Sequence, residues 1–323
     1  MGLAQTQTAA SFHPGELWLD NNGVHINAHG GGILFQNGTY YWFGEHKTAG
    51  GGGNVANVGV HCYSSTDLYN WKDEGIAFKV SEDPASEITK GCIIERPKVL
   101  YNAKTKKYVM WFHLELKGKG YSAARCGVAT SDSVTGPYTY VNSFRPDGQM
   151  SRDMTLFEDD DGTAYLICAS EDNATTHISQ LADDYLGTTG NYIKAFKWHS
   201  EAPAVFKYKG KYYYLGSGCS GWAPNAAMSA VSDSMLGKWT GLGNPCRGDV
   251  HQNKTTFESQ STYVLPVQGK PDAFIFMADR WRPGNAIDGR YIWLPITFEN
   301  DKPVIKWLPE WDLTTFDAAA PTK

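Results

Sequence analysis

The sequence predicts an all-β protein built as a five-bladed β-propeller. Two observations predict it directly. Helical periodicity is scarce across the 323 residues, and alternating, aromatic and β-branched runs bounded by Gly, Asn, Asp and Pro dominate. One four-strand unit also recurs five times, about 50 to 60 residues apart, as propeller blades do. A third observation fits both: 34 Gly supply the tight turns that many short strands need.

The first half of each unit is a hairpin that reads polar residue, apolar strand, polar turn, aromatic strand. In order these are "AHGGGILFQNGTYYWFGE" (28–45), "IERPKVLYNAKTKKYVMWFH" (94–113), "SRDMTLFEDDDGTAYLICAS" (151–170), "SEAPAVFKYKGKYYYLGSG" (200–218) and "SQSTYVLPVQGKPDAFIFMAD" (259–279). The second half adds a third strand, a Ser-Asp-type turn and an aromatic residue leading into a fourth strand. "VGVHCYSSTDLYNWKDEG", "CGVATSDSVTGPYTYVNS" and "AAMSAVSDSMLGKWTGLG" follow this closely. "HISQLADDYLGTTGNYIKAF" is a looser copy, and "RYIWLPITFENDKPVIKWLP" completes the last unit. The expected organisation is a disordered leader over 1–14, one propeller domain over 15–315 and a tail over 316–323. Ring closure is expected to involve the N-terminal "LWLDNNGVHIN".

In a propeller the first strand of every blade lines the central channel. The residue at its mouth therefore points into a shared polar funnel. These residues are Glu95, Asp153, Glu201 and Gln260, one per blade. Blade one departs, with His29–Gly30 and no carboxylate at that position. Acids that converge in a channel repel one another, which raises the pKa of one of them. A raised acid beside an ionised one is the machinery of glycosidic bond cleavage. The plainer alternative is that these acids hydrate the channel or hold an ion.

Several classes are disfavoured. Net charge is −5 with no Lys/Arg run, so nucleic acid is not an expected partner. No apolar stretch reaches the roughly 20 residues of a membrane span. The polar N-terminus is no intact signal peptide but fits the remnant of one, so a secreted or periplasmic location is expected. The six Cys form no CxxC pair and lie mostly in apolar runs, which favours buried thiols over a zinc site or a disulfide frame. "EDDDG" lacks the spacing and distal Glu of a Ca²⁺ loop and reads as a hairpin turn. "AGGGGN" lacks the Lys and Ser/Thr of a phosphate loop. His29 and His251 are candidates to face the channel, with hydrogen bonding the plainer role. No cofactor is expected, no metal ligand set is assigned, and a structural Ca²⁺ in the channel is not indicated.

"SRDMTLFEDDDGTAYL", "SEAPAVF" and the five-blade layout resemble glycoside hydrolases of family 43 over nearly the whole chain. The resemblance implies that Glu201 is the general acid and that Asp153 tunes and orients it. Members normally carry a basic Asp at the first blade's mouth, where this chain has "NAHGGGILF". "HINAHGGGILF", "FGEHK", "IERPKVLYN" and "FESQSTYVL" are similar to the exo-β-1,3-galactanase (galactan 1,3-β-galactosidase) branch. That likeness implies that Gln260 holds the attacking water, with Glu95, and that the reaction inverts. Inversion expects the acid and the water-holding group to be roughly 6.5–9.5 Å apart. An amide is a poor proton acceptor, so Gln260 either acts through its imidic tautomer or only positions water while a carboxylate takes the proton. Glu95 is the first candidate for that carboxylate and Glu45 the second. Glu45, Glu95, Tyr121, Asn173, Ser220 and Trp222 are the expected substrate contacts, with Trp222 and Trp281 as stacking surfaces. The expected partner is β-1,3-galactan or arabinogalactan, met by a monomer. The alternatives are a family 43 arabinofuranosidase or xylosidase, and a non-catalytic carbohydrate-binding propeller.

Overall fold

The computed structural model describes residues 9–319. Five antiparallel sheets follow one another over residues 29–79, 93–144, 154–196, 200–243 and 260–306. Each holds four consecutive strands in chain order, and the fifth adds the short parallel strand Cys246–Arg247 at its outer edge. First strands touch their counterparts in neighbouring blades all the way round, blade five against blade one included. The chain is a five-bladed propeller.

Each blade is sandwiched between two others, so both faces of its inner strands are buried. Strand alternation then sends successive residues to different seams. In Lys107–Glu115, Val109 and Trp111 enter the seam with blade three. Met110 and Phe112 enter the seam with blade one. This is why the second strands read as nearly continuous aromatic and aliphatic runs.

The seam between blades five and one is the most aromatic. Trp42 and Trp71 meet Trp293 there, and the N-terminal segment brings Phe12 and Trp18. Phe12 exchanges backbone hydrogen bonds with Trp311 at 2.7 and 3.1 Å and stacks on its ring at 4.4 Å. The "LWLDNNGVHIN" segment forms a turn bridged at Leu19–His25 and packs Trp18 and Ile26 into the seam. It closes the ring by packing, not by adding a blade strand. The disordered leader expected over 1–14 needs correction from Ala9 onward, because Phe12 is buried and paired. Residues 1–8 lie outside the described residues. The expected tail also starts too early: Phe316 lies edge-on to Trp311, inside the 3-10 turn Leu313–Ala319.

The inner strands of blades one, two, four and five are irregular at their mouths, and the irregularity helps aim the site. In blade one Gly30 and Gly31 stand opposite a single residue, as do Arg96 and Pro97 in blade two and Ala202 and Pro203 in blade four. Blade five bulges one step later, between Ser261 and Tyr263. Pro has no N–H to lose, so "ERP" and "EAP" suit a broken ladder. Arg96 and Ala202 adopt φ of 56° and 55°, which costs a non-glycine residue about 1–2 kcal/mol. A captured N–H offsets that cost. Gly30 N–H donates to Asp279 at 2.6 Å, Arg96 N–H to Glu45 at 2.9 Å and Ala202 N–H to Asp153 at 3.0 Å. Every acceptor belongs to the preceding blade. A side chain at Gly30 would be strained at its φ of 59°, and its Cβ would lie 2.4 Å from the Glu45 carboxylate, which would have to shift.

If the N-terminal aromatics close the ring, Phe12→Ala should destabilise the fold by about 3–5 kcal/mol. Urea unfolding followed by Trp fluorescence measures this, and an unchanged midpoint would contradict the role.

Candidate active site

The bulges tip the mouth residues into one cavity of about 420 Å³ on the axis. Glu45, Glu95, Tyr121, Asp153, Asn173, Glu201, Trp222, Gln260 and Trp281 all line it. Residues of five different blades, distant in sequence, thus share one space. Ser220 does not join them. Its hydroxyl donates to the Ala223 carbonyl at 2.6 Å and accepts from Asn225 at 2.6 Å, so it stiffens its own loop. His29 turns away, bonded through Nε2 to the Ala286 carbonyl. His251 sits exposed on the helix Val250–Thr255, beside Glu258. The "EDDDG" turn is held by a cation of the chain itself, since Lys207 reaches Asp159 at 2.5 Å and Asp160 at 2.9 Å. All six cysteines are free and only Cys219 is exposed.

Arg96 is the residue that sequence reasoning missed. Its guanidinium donates to Asp153 at 2.9 Å, to the Gln260 side-chain oxygen at 2.5 Å and to the Ser261 carbonyl at 2.7 Å. It also lies over the Trp281 ring, 5.6 Å from the centroid. A basic residue inside a strand that lines the axis was the available signal. Lys98 is the second such residue. It caps the carbonyls of Gly30 and Arg96, at 2.8 and 3.3 Å, and its stem fills the space left by Gly32.

The acids in the cavity differ in what opposes their charge. Asp153 has Arg96, and Glu45 has Lys47 at 2.9 Å. Glu95 accepts from His113 at 3.0 Å and from Tyr121 at 2.7 Å. Burial alone would raise Glu95, but His113, Lys47 and Tyr121 outweigh it and hold it down at about 2. Glu201 has no ion pair among the described residues. Its oxygens face the amides of Asn173 at 2.8 Å and Gln260 at 3.3 Å. Burial first, then the Asp153 charge, lift Glu201 to about 7, against a smaller pull from Arg96. The site therefore sets Glu95, held low, against Glu201, raised toward neutral pH, which suits Glu201 to acid catalysis there.

Gln260 stands closer to Glu201 than expected. Its amide nitrogen is 3.3 Å from Glu201, well inside the roughly 6.5–9.5 Å that separates acid and water-holding group in inversion. Its oxygen already accepts from Arg96 and from Trp281, which favours the ordinary amide over the imidic form. Glu95, His113 and Asp153 bring donor atoms within 4.8 Å of one another. Both His113 nitrogens are bonded to carboxylates and Arg96 occupies Asp153, so a divalent ion would have to displace cations already in place.

The model of the glycosyl hydrolases family 43 matches residues 29–301. The chain belongs to this family. This glycosidase is similar to the family 43 β-1,3-galactosidase BT3683, solved with galactodeoxynojirimycin. Identity is 50% and the TM-score 0.90, over 94% of this chain and 100% of the other. A second family 43 β-1,3-galactosidase, BT0265, is 45% identical with a TM-score of 0.90, over 95% of this chain and 64% of that one. The exo-β-1,3-galactanase of Phanerochaete chrysosporium, solved with galactose, is 37% identical with a TM-score of 0.85, over 94% and 68%. No curated protein matches the chain.

The electrostatics of the glycosidase predict a pH effect. Asp153→Asn removes the charge that raises Glu201, so Glu201 loses its proton at lower pH. The basic limb of kcat/KM should move down by about one pH unit. A basic limb that stays in place in this variant would contradict the coupling.

Proposed function

We propose that this glycosidase is an exo-acting, inverting β-1,3-galactosidase that releases galactose from the non-reducing ends of β-1,3-galactan and arabinogalactan. The observation that carries the chemistry is Glu201, lifted to about 7 beside Asp153 with no cation of its own. The sugar assignment is supported by the resemblance to β-1,3-galactosidases and exo-β-1,3-galactanases. The Phanerochaete chrysosporium enzyme has also been solved with β-1,3-galactotriose, in variants where one glutamate is replaced by Ala or Gln.

In this reading Glu201 gives its proton to the glycosidic oxygen as the bond to the anomeric carbon breaks. Asp153 keeps Glu201 protonated, and Asn173 and Gln260 fix its carboxyl. Water attacks the anomeric carbon from the opposite face, and its proton passes to a carboxylate. We assign that base to Glu95 and not to Gln260, which is bonded to the acid itself. Glu45 is the weaker rival: its side chain keeps 3% of its surface exposed against 13% for Glu95. Both residues have their oxygens engaged, Glu45 by Lys47 and the Arg96 N–H and Glu95 by His113 and Tyr121, so exposure to the cavity decides between them. Trp222 and Trp281, edge-to-face at 5.8 Å, form an aromatic rim for the sugars. A polymer of this kind is met outside the cytoplasm, in keeping with a secreted or periplasmic enzyme.

NMR of the fresh product from β-1,3-galactan should show α-galactose first, and β-galactose first would overturn inversion. Glu95→Gln should cost about 10³-fold in kcat on galactan and on an aryl β-galactoside alike. Glu201→Gln should cost far less on the aryl substrate, whose leaving group needs no proton. Activity restricted to aryl arabinosides or xylosides would move the enzyme to another family 43 substrate, and absence of all hydrolysis would make it a binding propeller.

A further inference from the structure

His113 lies near the end of the second strand of blade two, where an apolar run ends in "FHLE". Its side chain is fully buried. Nδ1 is 3.0 Å from Glu95 Oε2, and Nε2 is 2.9 Å from Glu115 Oε1. Glu115 is also fully buried, and its remaining bonds come from the backbone N–H groups of Ala123 at 2.8 Å and Ala124 at 3.0 Å. Strand alternation puts His113 and Glu115 on one face, so Glu115, His113 and Glu95 stand in line from the interior to the cavity. Each ring nitrogen faces a carboxylate oxygen. With both carboxyls ionised both nitrogens donate, and only the imidazolium has two N–H groups.

We propose that Glu115 and His113 are positioning residues for the reaction: Glu115 keeps the His113 ring doubly protonated and fixed, and the fixed ring holds the Glu95 carboxylate aimed into the cavity. The proposal rests on the reading of Glu95 as the base. It follows from which groups face Glu95. Asp153 lies across the cavity with an oxygen within 4.8 Å, and Glu45 stands in the neighbouring blade. Both are like charges that favour a protonated Glu95. Arg96 is bonded to Asp153 and Gln260, and Lys47 to Glu45. Tyr121 contributes a neutral hydroxyl. His113 is therefore the cation that directly touches Glu95. Burial pulls the His113 ring down, but Glu115 and Glu95 outweigh burial and hold it at about 9, so it remains charged through neutral pH. A Lys in its place would supply charge without a second anchor. The flat ring tied at both ends cannot rotate away.

The test compares wild type with His113→Gln, which retains a donor for Glu95 but no charge. The variant should lose about 10²-fold in kcat with KM changed less than threefold. Its acid limb of kcat/KM should move up by about one pH unit, because Glu95 then gains a proton more readily. A merely structural histidine would lower stability and leave the limb where it was, and that result would overturn the proposal. Should the variant not fold, the ring of wild-type His113 decides. Long-range ¹H–¹⁵N spectra at pH 7 should show both nitrogens protonated, and a neutral ring would sink the idea. The ring state is readable whether or not the enzyme cleaves galactan, so failure of the substrate assignment remains distinguishable.

Discussion

Arg96 leaves blade two at a bulge and ties three other blades to it. Its guanidinium holds Asp153 of blade three and both Gln260 and Ser261 of blade five, while its backbone N–H holds Glu45 of blade one. Arg suits this place because its charge cannot be titrated away and its planar fork donates in several directions at once. Converging carboxylates without such a cation would have to take up protons or move apart. The left-handed backbone at Arg96 is what turns the side chain toward the axis, and the captured N–H is what makes that backbone tolerable.

The site works by unequal neutralisation. Three acids face a cation each: Asp153 has Arg96, Glu45 has Lys47 and Glu95 has His113. Glu201 faces the amides of Asn173 and Gln260 and, among the described residues, no bonded cation. Burial and the neighbouring Asp153 raise it to about 7. Asp279 is also raised to about 7 by burial, but it serves as acceptor for the Gly30 N–H and does not line the cavity. A raised carboxyl alone therefore does not mark a candidate acid; a raised carboxyl that also lines the cavity does.

Much of this was legible in the sequence, for a physical reason. Hairpins repeated at blade spacing fix where each inner strand begins, so Glu95, Asp153, Glu201 and Gln260 could be placed on one axis without coordinates. The supporting charges were not legible. Arg96, Lys98, His113 and Glu115 sit inside strands at positions where a charged residue ordinarily marks a solvated face. Only the closed ring makes those faces interior. Ser220 was misplaced because a loop hydroxyl can serve either the ligand or its own turn, and local spacing does not distinguish the two. The 3.3 Å approach of Gln260 to Glu201 was not legible either, because blade position alone says nothing about that distance.

A site-specific ¹³C NMR titration of the Glu201 carboxyl tests this account of unequal charge most directly. The account predicts a midpoint of about 7 in the wild-type enzyme. A midpoint near the ordinary glutamate value of roughly 4.3 would show that Asp153 and burial do not govern the acid, and would contradict it.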